Sequence, residues 1–357
     1  MKKRTFTYYA LIDEEKSPGV AKKIEQTVSS VKKIGIDAKK NIQKNKFHGI
    51  IESLSALKKD NSDIIMIRFS DLSFPFLFPL LLTKKLKGKK IIVEIPTPRK
   101  IGLNEIETLK VSRLQKNLRK LINYLSGSWI LIPANLIIQY STEGRWFEFG
   151  TSRKTIKMGN GITISDSTPL SKATWPNQTL NLIAVAQLAE WHGYDRILRA
   201  LSVAAQKNLS YTINLTIVGD GEPLQRLQEL SKELKLSNVR FTGRLTGTDL
   251  DKEFEGKHLG IASLGLYRIG LHEASVLKAR EYMARGLCVI GTGSDPDFDE
   301  NSQYRILAEN SDEIESLVKI LCSFNSRKIP SPEDTRAYAK LNLTLEGKMK
   351  KIIDLVN

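Results

Sequence analysis

Short apolar runs alternate along the chain with segments whose apolar residues recur at helical spacing. Phe6 to Ile12 reads as a strand. Gly19 to Ile34 reads as a helix, with Val20, Ile24, Val28 and Val31 on one face. Ile64 to Phe69 (IIMIRF) and Lys90 to Ile95 (KIIVEI) are continuous apolar runs of the kind buried on both faces of a parallel sheet, and Pro96 and Pro98 stop the second. Ala134 to Tyr140 and Thr155 to Met158 complete this half. A second series opens near Thr179, with strands at Leu182 to Ala186, Leu215 to Val218, Val239 to Phe241, Leu259 to Ser263 and Cys288 to Ile290. Helices are expected at Asp195 to Gln206, Pro223 to Leu234 and Leu277 to Arg285. This alternation predicts an α/β fold of two doubly wound domains. They meet where Asn160-Gly161 and SDSTPLSKATWPNQ read as a linker. The boundaries are drawn at 1–165, 166–335 and 336–357, the last a C-terminal helix expected to lie back across the first domain.

A length of 357 residues suits two domains, and a 41% apolar, 26% charged composition is that of a globular protein. No apolar stretch is long enough to span a bilayer, and the acidic residues Asp13 to Glu15 after the first apolar run argue against a signal peptide. Cys288 and Cys322 are the only cysteines, too few for a disulfide framework, which fits a reducing, cytoplasmic setting. The formal net charge of +16 favours polyanionic partners. Aromatics are not interleaved with basic runs as in a nucleic-acid platform, so phosphate-bearing ligands and an anionic membrane surface are expected instead. Two stretches bear on the membrane. Ser73 to Lys90 (SFPFLFPLLLTKKLKGKK) sets leucine and aromatic residues beside lysines, and Leu118 to Pro133 (LRKLINYLSGSWILIP) is a second apolar and basic segment. For each the alternative is an ordinary buried helix, and the second stretch leans toward it. A location on the inner face of the cell membrane follows as an expectation.

The chemistry concentrates in Gly265 to Ile290. Glu273 and Glu281 have seven residues between them, and Glu281-Tyr282-Met283-Ala284-Arg285-Gly286 leads into a short apolar run. This resembles the E-x7-E motif of glycosyltransferase family 4, with Tyr for the usual Ala. Val185-Ala186-Gln187-Leu188 stands where that family has V-G-R-L. Trp191-His192-Gly193-Tyr194-Asp195-Arg196 is similar to a subgroup associated with bacterial capsular and exopolysaccharide synthesis. Gln187 and His192 replace the family's phosphate-gripping Arg and Lys, so Lys278 and Arg268 become candidates for the missing charge. Gly219-Asp220-Gly221 and Gly243-Arg244 match the turns after the next two strands, and Asn160-Gly161-Ile162 the interdomain linker.

The resemblance implies a GT-B fold, two Rossmann-like domains facing a central cleft, and a retaining sugar transfer from a nucleotide diphosphate donor. It implies Glu273 and Glu281 as the catalytic carboxylates. The implied donor side comprises His192, Gly193, Arg196, Gly219, Gly221, Gly243, Arg244, Arg268 and the run Ala274, Ser275, Val276, Leu277 and Lys278, whose backbone N–H groups would hold the diphosphate. Gly19, Glu94 and Thr97 are placed on the acceptor side, where Glu94 is alternatively a satisfied structural carboxylate. The expected partners are a nucleotide sugar, a glycan or polyprenyl-diphosphate-linked acceptor and an anionic membrane, with no nucleic acid. No cofactor or metal is expected. The acidic cluster Asp295, Asp297 and Asp299 reads as a solvated loop, with a metal site as the alternative. Competing readings are another GT-B enzyme (a phosphorylase or sugar-nucleotide epimerase) and a non-catalytic glycan- or nucleic-acid-binding protein.

Overall fold

The structure is a computed structural model that describes residues 3–15, 17–73, 75–108, 111–165, 168–171, 173, 178–324 and 329–357. Half of the linker stretch SDSTPLSKATWPNQ, and Phe74, lie outside the described residues. The chain forms two compact units, Met1–Thr163 with Leu345–Asn357, and Ile164–Thr344.

In the first unit the elements run β1 (Thr5–Leu11), α1 (Pro18–Lys33), β2 (Asp37–Gln43), α2 (Phe47–Lys59), β3 (Ile64–Arg68), α3 (Leu77–Leu86), β4 (Lys90–Ile95), α4 (Arg99–Thr108), α5 (Arg113–Leu125), β5 (Leu136–Gln139), α6 (Arg145–Glu148) and β6 (Thr155–Lys157). They build a six-stranded parallel sheet in the order β2-β1-β3-β4-β5-β6. The continuous apolar strands β3 and β4 sit inside it. One face is packed by Ile24, Val28 and Val31 of α1, the other by Leu77 and Leu81 of α3. Leu77 and Leu81 of the Ser73 to Lys90 stretch therefore face the core, whereas Leu82 and Leu86 are exposed, and the Lys84 ammonium donates to the Lys58 carbonyl at 3.1 Å, near the C-terminal end of α2.

The second unit runs β7 (Thr179–Val185), α7 (Tyr194–Ala205), β8 (Thr212–Val218), α8 (Leu224–Glu233), β9 (Val239–Gly243), α9 (Gly247–Glu253), β10 (Leu259–Ile261), α10 (Leu277–Ala284), β11 (Cys288–Gly291), β12 (Arg305–Leu307), α11 (Glu315–Cys322) and α12 (Pro332–Asn342). Its parallel sheet has the order β12-β11-β10-β7-β8-β9. From β7 the chain moves outward through β8 to β9, then crosses back to β10 on the other side of β7. The boundary between β7 and β10 is therefore a topological switch point, where loops diverge and leave room for a ligand at the strands' C-terminal ends.

The C-terminal stretch differs from the single returning helix expected at 336–357. It forms two helices, of which α12 buries Ala339 in the second unit and α13 (Leu345–Val356) packs on α1 in the first. The break has a local cause: the Leu345 N–H donates to the Ile162 carbonyl at 2.9 Å instead of to the preceding helical turn. Among the described residues no helix is long and apolar enough to cross a membrane.

Candidate active site

Four loops leave the C-terminal ends of β7, β8, β10 and β11 and lock together. After β7 the chain passes Ala186 and Leu188 into a tight turn, Glu190–His192, and Gly193 then takes φ +64° to start α7. Gly193 also lies so close to the loop after β10 that a Cβ there would meet the Gly265 nitrogen at 2.6 Å. The Leu264 N–H donates to the His192 carbonyl at 2.8 Å across this contact. Gly219 and Gly221 serve the same end after β8. A Cβ on Gly219 would collide with the Ala186 carbonyl and one on Gly221 with the Leu188 carbonyl, and the Leu188 N–H reaches the Asp220 carbonyl at 2.7 Å. Gly243 ends β9 with φ +73°, and Arg244 beyond it is exposed.

The loop after β10 carries Glu273 in a parallel bridge with Ser294, fixed by Ala274 N–H to the Ser294 carbonyl at 2.9 Å and Ser294 N–H to the His272 carbonyl at 2.8 Å. Val276 then caps α10 without a side-chain hydrogen bond, and no acidic residue occupies the helix's first turn. The α10 N-terminus thus presents backbone N–H groups and the positive end of the helix dipole without a side-chain partner from its cap. Glu281 is not at the opening of this helix but in its second turn.

Lys278, in the first turn of α10, links the two sides of the switch point. Its ammonium lies 3.5 Å from the Tyr194 hydroxyl and 5.4 Å from the centre of the Trp191 ring. Burial holds it down to about 7, well below an ordinary lysine. His192 lies tilted against Trp191 and stacks on Tyr194, with ring centroids 4.0 Å and 5.5 Å away. Burial, with the Lys278 charge nearby, pushes His192 down to about 2. It is a neutral imidazole. Its Nδ1 accepts the Ala189 N–H at 3.0 Å, so the ring proton resides on Nε2, making that atom a donor without charge.

Two expected cations are used elsewhere. Arg196 is fully buried and donates to the carbonyls of Leu264, Glu309 and Glu313, so its guanidinium ties backbone together instead of meeting a ligand. Arg268 makes a bidentate pair with Asp195 at 2.8 and 2.7 Å and donates to the Glu190 carbonyl at 3.0 Å. It braces the two loops. A cavity of about 500 Å³ opens beside it between α7 and α8, away from α10, lined by Asp195, Arg199, Arg226, Glu229 and Asp312 among others. In the acidic cluster, Asp295 and Asp297 are held by the buried Arg280, Asp295 with one contact at 2.7 Å and Asp297 at 2.6 Å. Among the described residues no group of three His, Cys, Asp or Glu side chains is arranged to hold a metal ion.

The unusual Tyr282 explains itself in packing. Its ring lies over Gly260, and its hydroxyl accepts the Val185 N–H at 2.7 Å and donates toward the Ile261 carbonyl at 3.2 Å. It pins the ends of β7 and β10 where the two strands part.

In the first unit Glu94 is fully buried, with Lys23 at 2.6 Å, Arg68 at 3.0 Å and the Tyr8 hydroxyl on its carboxylate. Burial alone would raise its pKa, but the two cations bring it down to about 2. Placed beneath the surface and saturated with partners, it is a structural carboxylate and not an acceptor contact. The sequence reading allowed Glu94 as a satisfied structural carboxylate but named none of its partners; the lone carboxylate inside KIIVEI was the signal, since a charge buried in a parallel strand demands one. Gly19 in the first turn of α1 is exposed, with open space where a Cβ would stand, and Thr97 is exposed after β4.

Two consecutive parallel α/β units of this kind, the second with its loops gathered at the β7–β10 switch point, define a two-domain GT-B protein. Residues 170–341, all within the second unit, match the family model described as glycosyl transferases group 1. A curated relative, the uncharacterized glycosyltransferase MJ1069 of Methanocaldococcus jannaschii, is 28% identical over 178 residues. The match covers 48% of this chain and 43% of that protein, so the chain spans less than half the length of this relative. Among solved structures, the lipopolysaccharide outer core galactosyltransferase WaaB superposes with a TM-score of 0.64 at 13% identity, covering 98% of each chain. The catalytic domain of starch synthase IV from Arabidopsis thaliana, bound to ADP and acarbose, gives a TM-score of 0.63 at 12% identity, covering 100% of this chain and 99% of that one.

Proposed function

We propose that this chain is a glycosyltransferase that moves a hexose-type sugar from a nucleotide diphosphate donor to a glycan or polyprenyl-diphosphate-linked acceptor, with retention, in bacterial cell-surface polysaccharide biosynthesis. One observation carries the reading: the open N-terminus of α10, Lys278, and the neutral donor His192 gather at the switch point of the second unit. In this proposal the α10 N–H groups receive the diphosphate, and Lys278 supplies the cation that Gln187 and His192 do not. His192 donates from Nε2 without bringing a charge. Glu281 accepts hydrogen bonds from ribose hydroxyls, and Glu273, held by its bridge to Ser294, faces the sugar. The growing negative charge of the leaving diphosphate is the quantity these donors stabilise. The ADP in the starch synthase structure supports a nucleoside diphosphate in this fold. No resident metal enters the proposal, because Asp295 and Asp297 are engaged by Arg280.

Thermal shift with a panel of nucleoside diphosphates and their sugars tests the reading, since a ligand bound only by the folded state raises the melting temperature. At least one diphosphate should stabilise the wild type. Release of nucleoside diphosphate in the presence of acceptor should fall about 100-fold or more in Glu281→Ala and in Glu273→Ala. Transfer at the wild-type rate in both variants would remove the assigned site.

A further inference from the structure

The helix α5 is built inside out. Its leucines fall at Leu114, Leu118, Leu121 and Leu125, one continuous stripe at helical spacing, which in a globular unit faces the core. Here the stripe faces solvent: Leu114 is 79% exposed, Leu118 55% and Leu121 53%. The side turned toward the protein is the polar one, Lys116, Lys120 and Asn123, and the Asn123 amide donates to Asp71 at 2.9 Å. The helix is not frayed. A capping box closes its N-terminus, with the Gln115 N–H on the Ser112 hydroxyl and the Ser112 N–H on the Gln115 side chain.

The apolar surface continues past the helix. Tyr124 stacks on Trp146 with centroids 5.6 Å apart, and Phe149 and Ile132 are exposed nearby in sequence. Both tryptophans have their N–H groups satisfied by the end of α5: Trp146 on the Tyr124 carbonyl at 2.9 Å, Trp129 on the Leu125 carbonyl at 2.7 Å. Their rings are left partly open, the disposition of aromatics at a membrane–water boundary. From Val111 to Ile132 the chain carries Arg113, Lys116, Arg119 and Lys120 and no acidic residue. Exposed Arg145 and Arg153 extend the basic rim, with the half-buried Glu148 beside them.

We infer that the leucine face of α5, with Tyr124, Trp129 and Trp146, docks the first unit in the plane of a bilayer that bears anionic headgroups. The charge selects this occupant. A second copy seated on the same patch about a twofold axis would set arginines against arginines, whereas anionic lipid meets both the apolar stripe and its basic flanks. The inference goes beyond the sugar-transfer reading and does not rest on it, since no residue of the donor loops takes part.

Co-sedimentation of the full chain with phosphatidylcholine vesicles, with and without phosphatidylglycerol, tests it. Binding is expected with the anionic vesicles, little with the neutral ones, and loss as salt is raised. The triple variant Leu114→Ser, Leu118→Ser, Leu121→Ser and the double variant Arg113→Glu, Arg119→Glu should each weaken it by about tenfold or more. All five positions are exposed, so melting temperature should hold, and any thermal shift by a nucleoside diphosphate should be the same as in the wild type. Wild-type chain left in the supernatant at low salt, equal binding to neutral vesicles, or variants that sediment like the wild type would overturn the inference. So would a dimer, seen by analytical ultracentrifugation, that the leucine variant dissolves while lipid binding is absent throughout.

Discussion

Lys278 shows how one side chain's surroundings set a measurable behaviour. In the free protein it titrates near 7 because burial disfavours its charge. A bound diphosphate would favour the charged form and raise that value. Affinity should therefore be greatest below pH 7 and fall as pH rises through 7 to 8, by up to about tenfold per unit. Calorimetry in two buffers of different ionisation heat should show proton uptake on binding at pH 7.5, and Lys278→Met should abolish both the uptake and the pH dependence. Glu94 works in the opposite sense. Its folded-state pKa of about 2 lies below the ordinary 4.5, so it contributes stability above pH 4.5 that is lost as pH falls toward 2. Glu94→Gln should destabilise the first unit at pH 7 by about 3 kcal/mol or more, because Lys23 and Arg68 would keep their buried charges without the carboxylate between them. The loss should shrink in acid, which urea denaturation at pH 7 and pH 3.5 would reveal. Both roles were among the sequence readings, Lys278 as a candidate cation and Glu94 as a satisfied structural carboxylate, but the surroundings that set their titration were not. Lys278 sits three residues before Glu281 in any reading, but its desolvation comes from Trp191 and Tyr194, which the fold brings from more than eighty residues away.

At the scale of elements, the strands that were legible are those buried on both faces. β3 and β4 are nearly continuous apolar runs, and β7 and β8 end in shorter ones, Leu182 to Val185 and Leu215 to Val218, that fix where these strands lie. β2 was missed because it is a sheet edge. Its sequence DAKKNIQ buries only Ala38, and pairing with β1 across seven residues holds it in place instead of apolar periodicity. β12 was missed for a similar reason, being three residues at the opposite sheet's edge. α5 was misleading in a different way. Its period is correct for a helix, but period says nothing about which side faces the protein, and Asn123 with its lysines took the inner place. The loops after β7 and β10 were legible as positions, through Gly193 and Glu273, but not as a joined structure. That junction can be broken at one atom. Gly193→Ala adds a Cβ 2.6 Å from the Gly265 nitrogen at a φ that side chains rarely adopt. It should lower stability by about 1–3 kcal/mol and abolish nucleoside diphosphate binding, read together in one thermal-shift experiment.

At the scale of the molecule, the second unit is one uninterrupted stretch with its own core, whereas the first is assembled from two pieces. Residues 164–344 produced alone should therefore fold in a single cooperative transition. They should bind the preferred nucleoside diphosphate within a few-fold of the full chain, because every residue assigned to the donor lies within them. Isothermal titration of both forms compares the two directly. The complementary piece has no such independence. Met349, Ile352, Ile353 and Val356 of α13 fill the same core as Phe6, Tyr8 and Ile24, and Arg4 reaches Asn357 at 2.7 Å. During synthesis this separation imposes an order of events. When β1 to β6 have left the ribosome, the surface that α13 will cover is still open, and it stays open while the whole second unit emerges and folds. The part of the protein made first is thus the last to mature, and for that interval its unfinished apolar face depends on chaperones or on speed of translation to avoid aggregation.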